Sequence, residues 1–238
     1  MSIFNANDVL NVTVEPHGNA GVWFLNWKIQ PKPLGARTYP TAHNYAGSGL
    51  YGLCFDNNLI YIGSFLGNER GTANFGGDVV ASRWWTHIGA ITARGHRMHI
   101  ARKSLHKLQA CLERDHIMLQ GFNDADKMIL HQDAGNLGPL RRLLFAAQHA
   151  DIFFDEKGEP EKIFSRFHFL YHRLSCLPAD MDAKKLKAVI LNAEKTVIQK
   201  FQPVCNSTHA KSLTLKNRHD LDQVDKFLKE ALELFPIG

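Results

Sequence analysis

The chain has 238 residues, which suits one large domain or two small ones at roughly 100–200 residues each. Apolar residues make up 45% and charged residues 21%, so a core can form and nothing in the composition argues for disorder. Lys and Arg number 28 against 23 Asp and Glu, the isoelectric point is near 9.0, and no apolar run approaches the roughly 20 residues of a membrane span. The balance favours a polyanionic partner and no membrane.

The start, Met1-Ser2-Ile3-Phe4-Asn5, has no basic stretch followed by an apolar run and does not read as a signal peptide. Cys54, Cys111, Cys176 and Cys205 are far apart with no C-x-x-C, so they read as reduced thiols of a cytoplasmic protein. Residues 1–46 read as an irregular N-terminal extension with strands over Val9–Val14 and Val22–Ile29, broken by Pro31-Lys32-Pro33-Leu34-Gly35. A hairpin follows: two apolar runs, Gly49–Phe55 and Leu59–Phe65, flank the turn residues Asp56-Asn57-Asn58. A Gly-rich loop from Gly67 to Asp78 ends where a helix can begin.

From Val79 onward, helical spacing dominates. Met98, Ala101, Leu105, Leu108 and Leu112 form one stripe, and Leu140, Leu143, Leu144 and Ala147 another. Ile163, Phe164, Phe167, Leu170, Tyr171 and Leu174 predict a third helix, after a short strand over Asp151–Asp155. The strongest helix runs from an N-cap at Asp182 to about Phe201, stopped by Pro203, and a last one spans Asp220 to Leu234.

Two motifs point away from their usual chemistry. Gly47-Ser48-Gly49-Leu50-Tyr51-Gly52 matches G-x-G-x-x-G, but strands rather than a helix follow it, so a dinucleotide site is not expected. His168 and His172 have the i, i+4 spacing of helical zinc ligands, but Phe169 stands where H-E-x-x-H needs Glu, and no third ligand is near.

The hairpin carries more. Tyr51 and Tyr61 stand five residues either side of Asp56, which makes them approximate opposite neighbours on one face. Most such pairs are simple cross-strand aromatic contacts. Gly49-Leu50-Tyr51 followed after nine residues by Tyr61-Ile62-Gly63, however, resembles the signature of the GIY-YIG nuclease family, with Leu50 in place of the first Ile. Arg83 with His87, and Glu194 followed by Pro203 and Asn206, match the family's later motifs, and the Arg-x-x-x-His pair is similar to its type II restriction enzymes. The resemblance covers 47–67, 79–91 and 183–207. Arg70 is an alternative arginine, but it lies in the Gly-rich loop, whereas Arg83 opens a helical pattern.

The resemblance implies an α+β fold, a small antiparallel or mixed β-sheet flanked by helices. The nuclease core would take 47–91 and 181–238, and the long gap before Glu194 implies a mainly helical insertion over 92–180. It implies Mg²⁺, or Mn²⁺, held by Glu194 with waters completing the shell. Tyr51 would be the general base, Arg83 would hold the phosphate, and Tyr61 and His87 would bind phosphate or pass protons. Asn206 would position the site by hydrogen bonds.

Residues 83–149 hold ten Lys/Arg, five Asp/Glu and seven His. Arg94, Arg97, Arg102, Lys103 and Lys107 are therefore the candidate DNA-binding patch. The expected activity is site-specific cleavage of double-stranded DNA by a homodimer, since a two-fold protein matches a two-fold duplex. A structure-specific repair nuclease and a non-catalytic nucleic-acid-binding protein are the alternatives.

Overall fold

The computed structural model describes residues 3–16, 25–67, 77–92, 94, 140–153, 159–174, 182–210 and 219–233. In chain order the elements are β1 (Ile3–Asn5), α1 (Ala6–Val9), β2 (Leu10–Pro16), β3 (Leu25–Pro31), β4 (Gly49–Phe55), β5 (Asn58–Phe65) and α2 (Trp85–Ile91). Then follow α3 (Leu140–Gln148), α4 (Ala150–Phe153), α5 (Pro160–Phe164), β6 (Phe167–Arg173), α6 (Ala183–Phe201) and α7 (Leu221–Glu233). A π-helical turn, Val80–Trp84, leads into α2.

The described chain is of the α+β class and divides into two compact units. One comprises Met1–Leu10, Pro31–Trp84 and Phe164–Gly238; the other comprises Asn11–Gln30 and Trp85–Ile163. The first is built on a four-stranded antiparallel sheet of order β1-β6-β4-β5. The hairpin β4–β5 turns on Asp56 and Asn57, both at positive φ, 49° and 60°, the conformation of a tight two-residue hairpin turn that short polar side chains tolerate. Asn58, expected in the turn, is already the first residue of β5.

Side-chain alternation divides the sheet into two faces. On one, Leu50, Cys54, Leu59, Ile62 and Leu170 pack against Leu186, Ile190, Ala193 and Val197 of α6 and Val224, Leu228 and Ala231 of α7. Asp182 caps α6, accepting from the Lys184 N–H, as its sequence position predicts. Burial of the Cys54 thiol in this layer pushes its pKa up to about 12, so it is a packing group. Elsewhere in the same unit Trp84 stacks flat on Phe169, ring centroids 4.2 Å apart, with Phe4 and Tyr45 continuing the aromatic layer.

The sequence expectations fail first over residues 163–174. Residues 163–174, predicted as a helix, form the end of α5 and then β6, an inner strand paired on both sides. Phe167, Phe169 and Tyr171 alternate with period two inside the helix-like spacing, and burial between two strands selects the extended form. The helical insertion therefore does not run from 92 to 180, because β6 belongs to the first unit. Nor are residues 1–46 one extension: β1 is an edge strand of the main sheet, while Asn11–Gln30 falls in the second unit. Residues 151–153, the start of the strand expected over Asp151–Asp155, belong instead to the helical turn α4. The stripe from Met98 to Leu112 lies outside the described residues.

In the second unit, β2 and β3 form a two-stranded sheet, and Val12, Trp27 and Ile29 are buried. Phe145, His149 and Phe153 of α3–α4 make a mutual ring cluster. No described helix is long and apolar enough to cross a membrane.

Candidate active site

The edge strand β5 organises the site. Leu53 pairs with Tyr61 and Cys54 with Leu59, so Ile60 is a one-residue bulge. The bulge has a consequence for both tyrosines. Continued from the turn without it, the register would set Tyr61 opposite Gly52, on the face away from Tyr51. With it, Tyr51 lies opposite Gly63 and Tyr61 opposite Leu53, which puts both phenols on one face. They are diagonal neighbours rather than the directly opposed pair expected from their spacing, with ring centroids 6.2 Å apart and planes tilted by 45°.

Gly63 is required by this arrangement. A Cβ placed on it would stand 2.4 Å from Cζ and Oη of Tyr51, so the Tyr51 ring lies across the strand where a side chain would otherwise be. Tyr51 is 1% exposed, whereas Tyr61 is half-buried. Gly49 answers a second close approach: a Cβ there would fall 2.0 Å from the His172 carbonyl oxygen on β6. The glycines of the G-x-G-x-x-G match thus run into paired strands.

The next residue along β5 points to the other face, toward α6. The Ser64 hydroxyl donates to Oε2 of Glu194 at 2.7 Å. Glu194 is half-buried on α6, at the margin of the apolar face. Burial pushes its carboxyl pKa up; the Ser64 hydrogen bond and the positive charge of Arg83 both pull it back. The phenol end of Tyr51 and the Glu194 carboxylate are therefore held at consecutive residues, Gly63 and Ser64, near the end of an edge strand.

Arg83 is exposed, at the penultimate position of the π-helical turn, beside the fully buried Trp84. π-Helical turns are rare and cluster at functional sites. The turn is pinned at its start by Asp78, whose Oδ1 accepts from the N–H groups of Val80 and Ala81. Asp78 also forms a 2.6 Å ion pair with buried Arg37, and Arg37 lies over the Tyr45 ring at 4.8 Å. His87, expected to share a helix face with Arg83, is 8% exposed and lies in the second unit.

Asn206 is 4% exposed and spends both ends of its amide on one residue. Its Oδ1 accepts from the Ile62 N–H at 2.9 Å and its Nδ2 donates to the Ile62 carbonyl at 2.7 Å. The Cys205 N–H donates to the Ile60 carbonyl at 2.9 Å. Together these groups replace the missing neighbour strand along β5 between the two motif residues Tyr61 and Gly63. These bonds are of the kind expected of Asn206, which holds β5 by its amide.

Of the expected basic patch, only Arg94 falls among the described residues. Arg94 is 3% exposed; its Nη1 donates to the Phe153 carbonyl at 3.1 Å, its guanidinium lies 5.3 Å from the Trp27 ring, and its carbonyl accepts from the Trp27 N–H. It is an interior arginine of the second unit, held by packing. Arg97, Arg102, Lys103, Lys107 and the alternative Arg70 lie outside the described residues. His168 and His172 stand on β6 instead of a helix. His168 contacts the Asn5 amide at 3.2 Å and His172 the Asp225 carboxylate at 2.8 Å, so the two serve different neighbours.

Three contributors were missed by the sequence analysis. Asp78 carried an available signal, an acidic residue opening a helix after a Gly-rich loop. Ser64 follows Tyr61-Ile62-Gly63 directly, but a serine there is informative only once the glutamate is known to reach it. Arg37 carried no signal. Compared with known proteins, no family model, curated protein or solved structure matches the chain.

Proposed function

We propose that the protein is a divalent-metal-dependent endonuclease of the GIY-YIG type that hydrolyses phosphodiester bonds of double-stranded DNA, as a site-specific restriction enzyme does. The observation that carries this reading is that the Tyr51 phenol lies over Gly63 while Glu194 is bonded to the next residue, Ser64, with the Arg83 charge acting on its carboxyl.

Each group suits a step of phosphodiester hydrolysis. Tyr51 takes a proton from the attacking water; an ordinary phenol, with a pKa near 10, is about one part in a thousand ionised at neutral pH, so a positive charge at the bound phosphate is needed to favour the phenolate. Arg83, exposed and always charged, holds the non-bridging oxygens of the phosphate as charge builds there. Tyr61, half-exposed beside Tyr51, offers a second hydroxyl to the same phosphate. Asn206 keeps β5 in register so that these groups stay aligned.

The donors at Glu194 are a carboxylate and a hydroxyl, hard oxygen groups that fit Mg²⁺ or Mn²⁺. An ion held there through one carboxylate would keep most of its water, as Mg²⁺ does. When bound, such an ion supplies Lewis-acid polarisation of the phosphate and stabilises the departing oxygen.

The deciding experiment is digestion of unmethylated plasmid and phage DNA with Mg²⁺, followed by sequencing of fragment ends. Discrete fragments from wild type and none from Glu194→Gln support the restriction reading. Cleavage confined to branched or flapped substrates would favour a repair nuclease. One observation favours a non-catalytic binding protein, the 1% exposure of Tyr51. Intact DNA across all substrates and metals, with binding retained, would establish that alternative.

A further inference from the structure

Helix α6 carries Lys184, Lys185, Lys187, Lys195 and Lys200, every one exposed, and a single acidic residue, Glu194. Its neighbour α7 has the opposite balance: Asp222, Asp225, Glu230 and Glu233 against Lys226 and Lys229. The positive charge of this helix pair is thus concentrated on the element that bears the site carboxylate.

The lysines are not scattered around that helix. At 3.6 residues per turn, Lys184, Lys187, Leu191 and Lys195 follow one another at spacings of three, four and four, a stripe that adjoins Glu194 on its solvent side. None of the three lysines makes an ion pair with a described residue, and Leu191, in the middle, is 42% exposed. At 1.5 Å rise per residue the stripe from Lys184 to Lys195 is about 16 Å long. One DNA strand carries a phosphate at every nucleotide, so a row of this length spans several of them. An acidic protein would need carboxylates at three unrelated positions to satisfy the same row; a nucleic-acid backbone presents them by its own repeat.

We infer that the Lys184–Lys187–Lys195 row of α6 is the surface along which the phosphate backbone of duplex DNA lies as it enters the site. The inference rests on the nuclease reading for what happens at Glu194, but the contact itself is independent of cleavage. It places a DNA-contacting surface on the helix that contains the carboxylate.

The test is binding of a fluorescent 30-base-pair duplex by the full chain in EDTA, titrated with salt. The variants are Lys184→Gln/Lys187→Gln/Lys195→Gln, the single Lys187→Glu, and the α7 control Lys226→Gln/Lys229→Gln. Each lost phosphate contact lowers the slope of log affinity against log salt by about 0.9, so the triple variant is expected to lose about 2 to 3 from the slope and at least about tenfold in affinity near 0.1 M salt. Lys187→Glu should weaken binding on its own, and the control should bind like wild type. Unchanged thermal melting of the variants ties any loss to contact rather than folding. Wild-type slope and affinity in the triple variant, an equal loss in the α7 control, or no duplex binding by wild type at low salt would each overturn the inference. Binding through the row without any cutting in Mg²⁺ would support it while removing the nuclease reading.

Discussion

Strands β5 and β6 flank β4 on opposite sides, yet they do different work. β6 is an inner strand, paired with β1 and β4, and Phe167, Phe169, Leu170 and Tyr171 are buried. Its neighbours separate the two faces of the sheet, so what packs on one cannot reach the other. β5 is at the edge, and Asn206 and Cys205 bond along its open side. There a ring from one face and a carboxylate from the other are brought to adjacent residues. The contrast teaches that the sheet margin, where strand pairing stops, is the place where groups from both layers reach neighbouring residues.

The comparison can be broken by substitutions on each strand. Phe169→Ala on β6 removes the stacked partner of Trp84 and should cost about 3–5 kcal/mol of stability, a large share of a typical total, as read by urea unfolding. Glu194→Gln at the β5 margin should act in the opposite sense. It should lower cleavage by about 10²–10³-fold, measured by single-turnover plasmid nicking, and raise the melting temperature at neutral pH.

The sign follows from the raised carboxyl pKa. Burial favours the protonated form, so the stabilising contribution of Glu194 is complete below the unfolded pKa, near 4.3, and is lost as pH rises through the folded value. The melting advantage of the glutamine variant should therefore shrink toward zero near pH 4 and be fully present above the folded value. An advantage that persists unchanged into acid would mean that the carboxylate is not the cause.

Asn206→Ala leaves the Ile62 N–H and carbonyl without their partner and should cost about 1–3 kcal/mol, with cleavage falling as β5 loosens. The smallest effect is expected from Ser64→Ala, about 0.5–1.5 kcal/mol in stability. Its distinguishing mark is a rise in the Mg²⁺ concentration needed for half-maximal cleavage, which Asn206→Ala has no direct reason to produce.

The hairpin and the two C-terminal helices were legible because their signals are local. Asp56-Asn57 demands a tight turn, Asp182 caps α6, and the apolar spacing from Leu186 to Phe201 repeats without interruption. β6 was not, because its aromatic residues satisfy two periods at once and only pairing with β1 and β4 selects the extended one. The candidate residues Tyr51, Tyr61, Arg83, Glu194 and Asn206 were legible through the spacing of their motif, while Ser64, Asp78 and Arg37 were not.

What remains attached to the chain order is therefore the identity of the elements: turn chemistry, caps and helical stripes act over a few residues and need no distant partner. The placement of the tyrosines on one face, the meeting of Gly63 and Ser64 with groups from two layers, and the burial of Arg94 belong to the folded state. A single bulge at Ile60 moves a whole register, and a charge is buried or exposed according to segments far away in the chain.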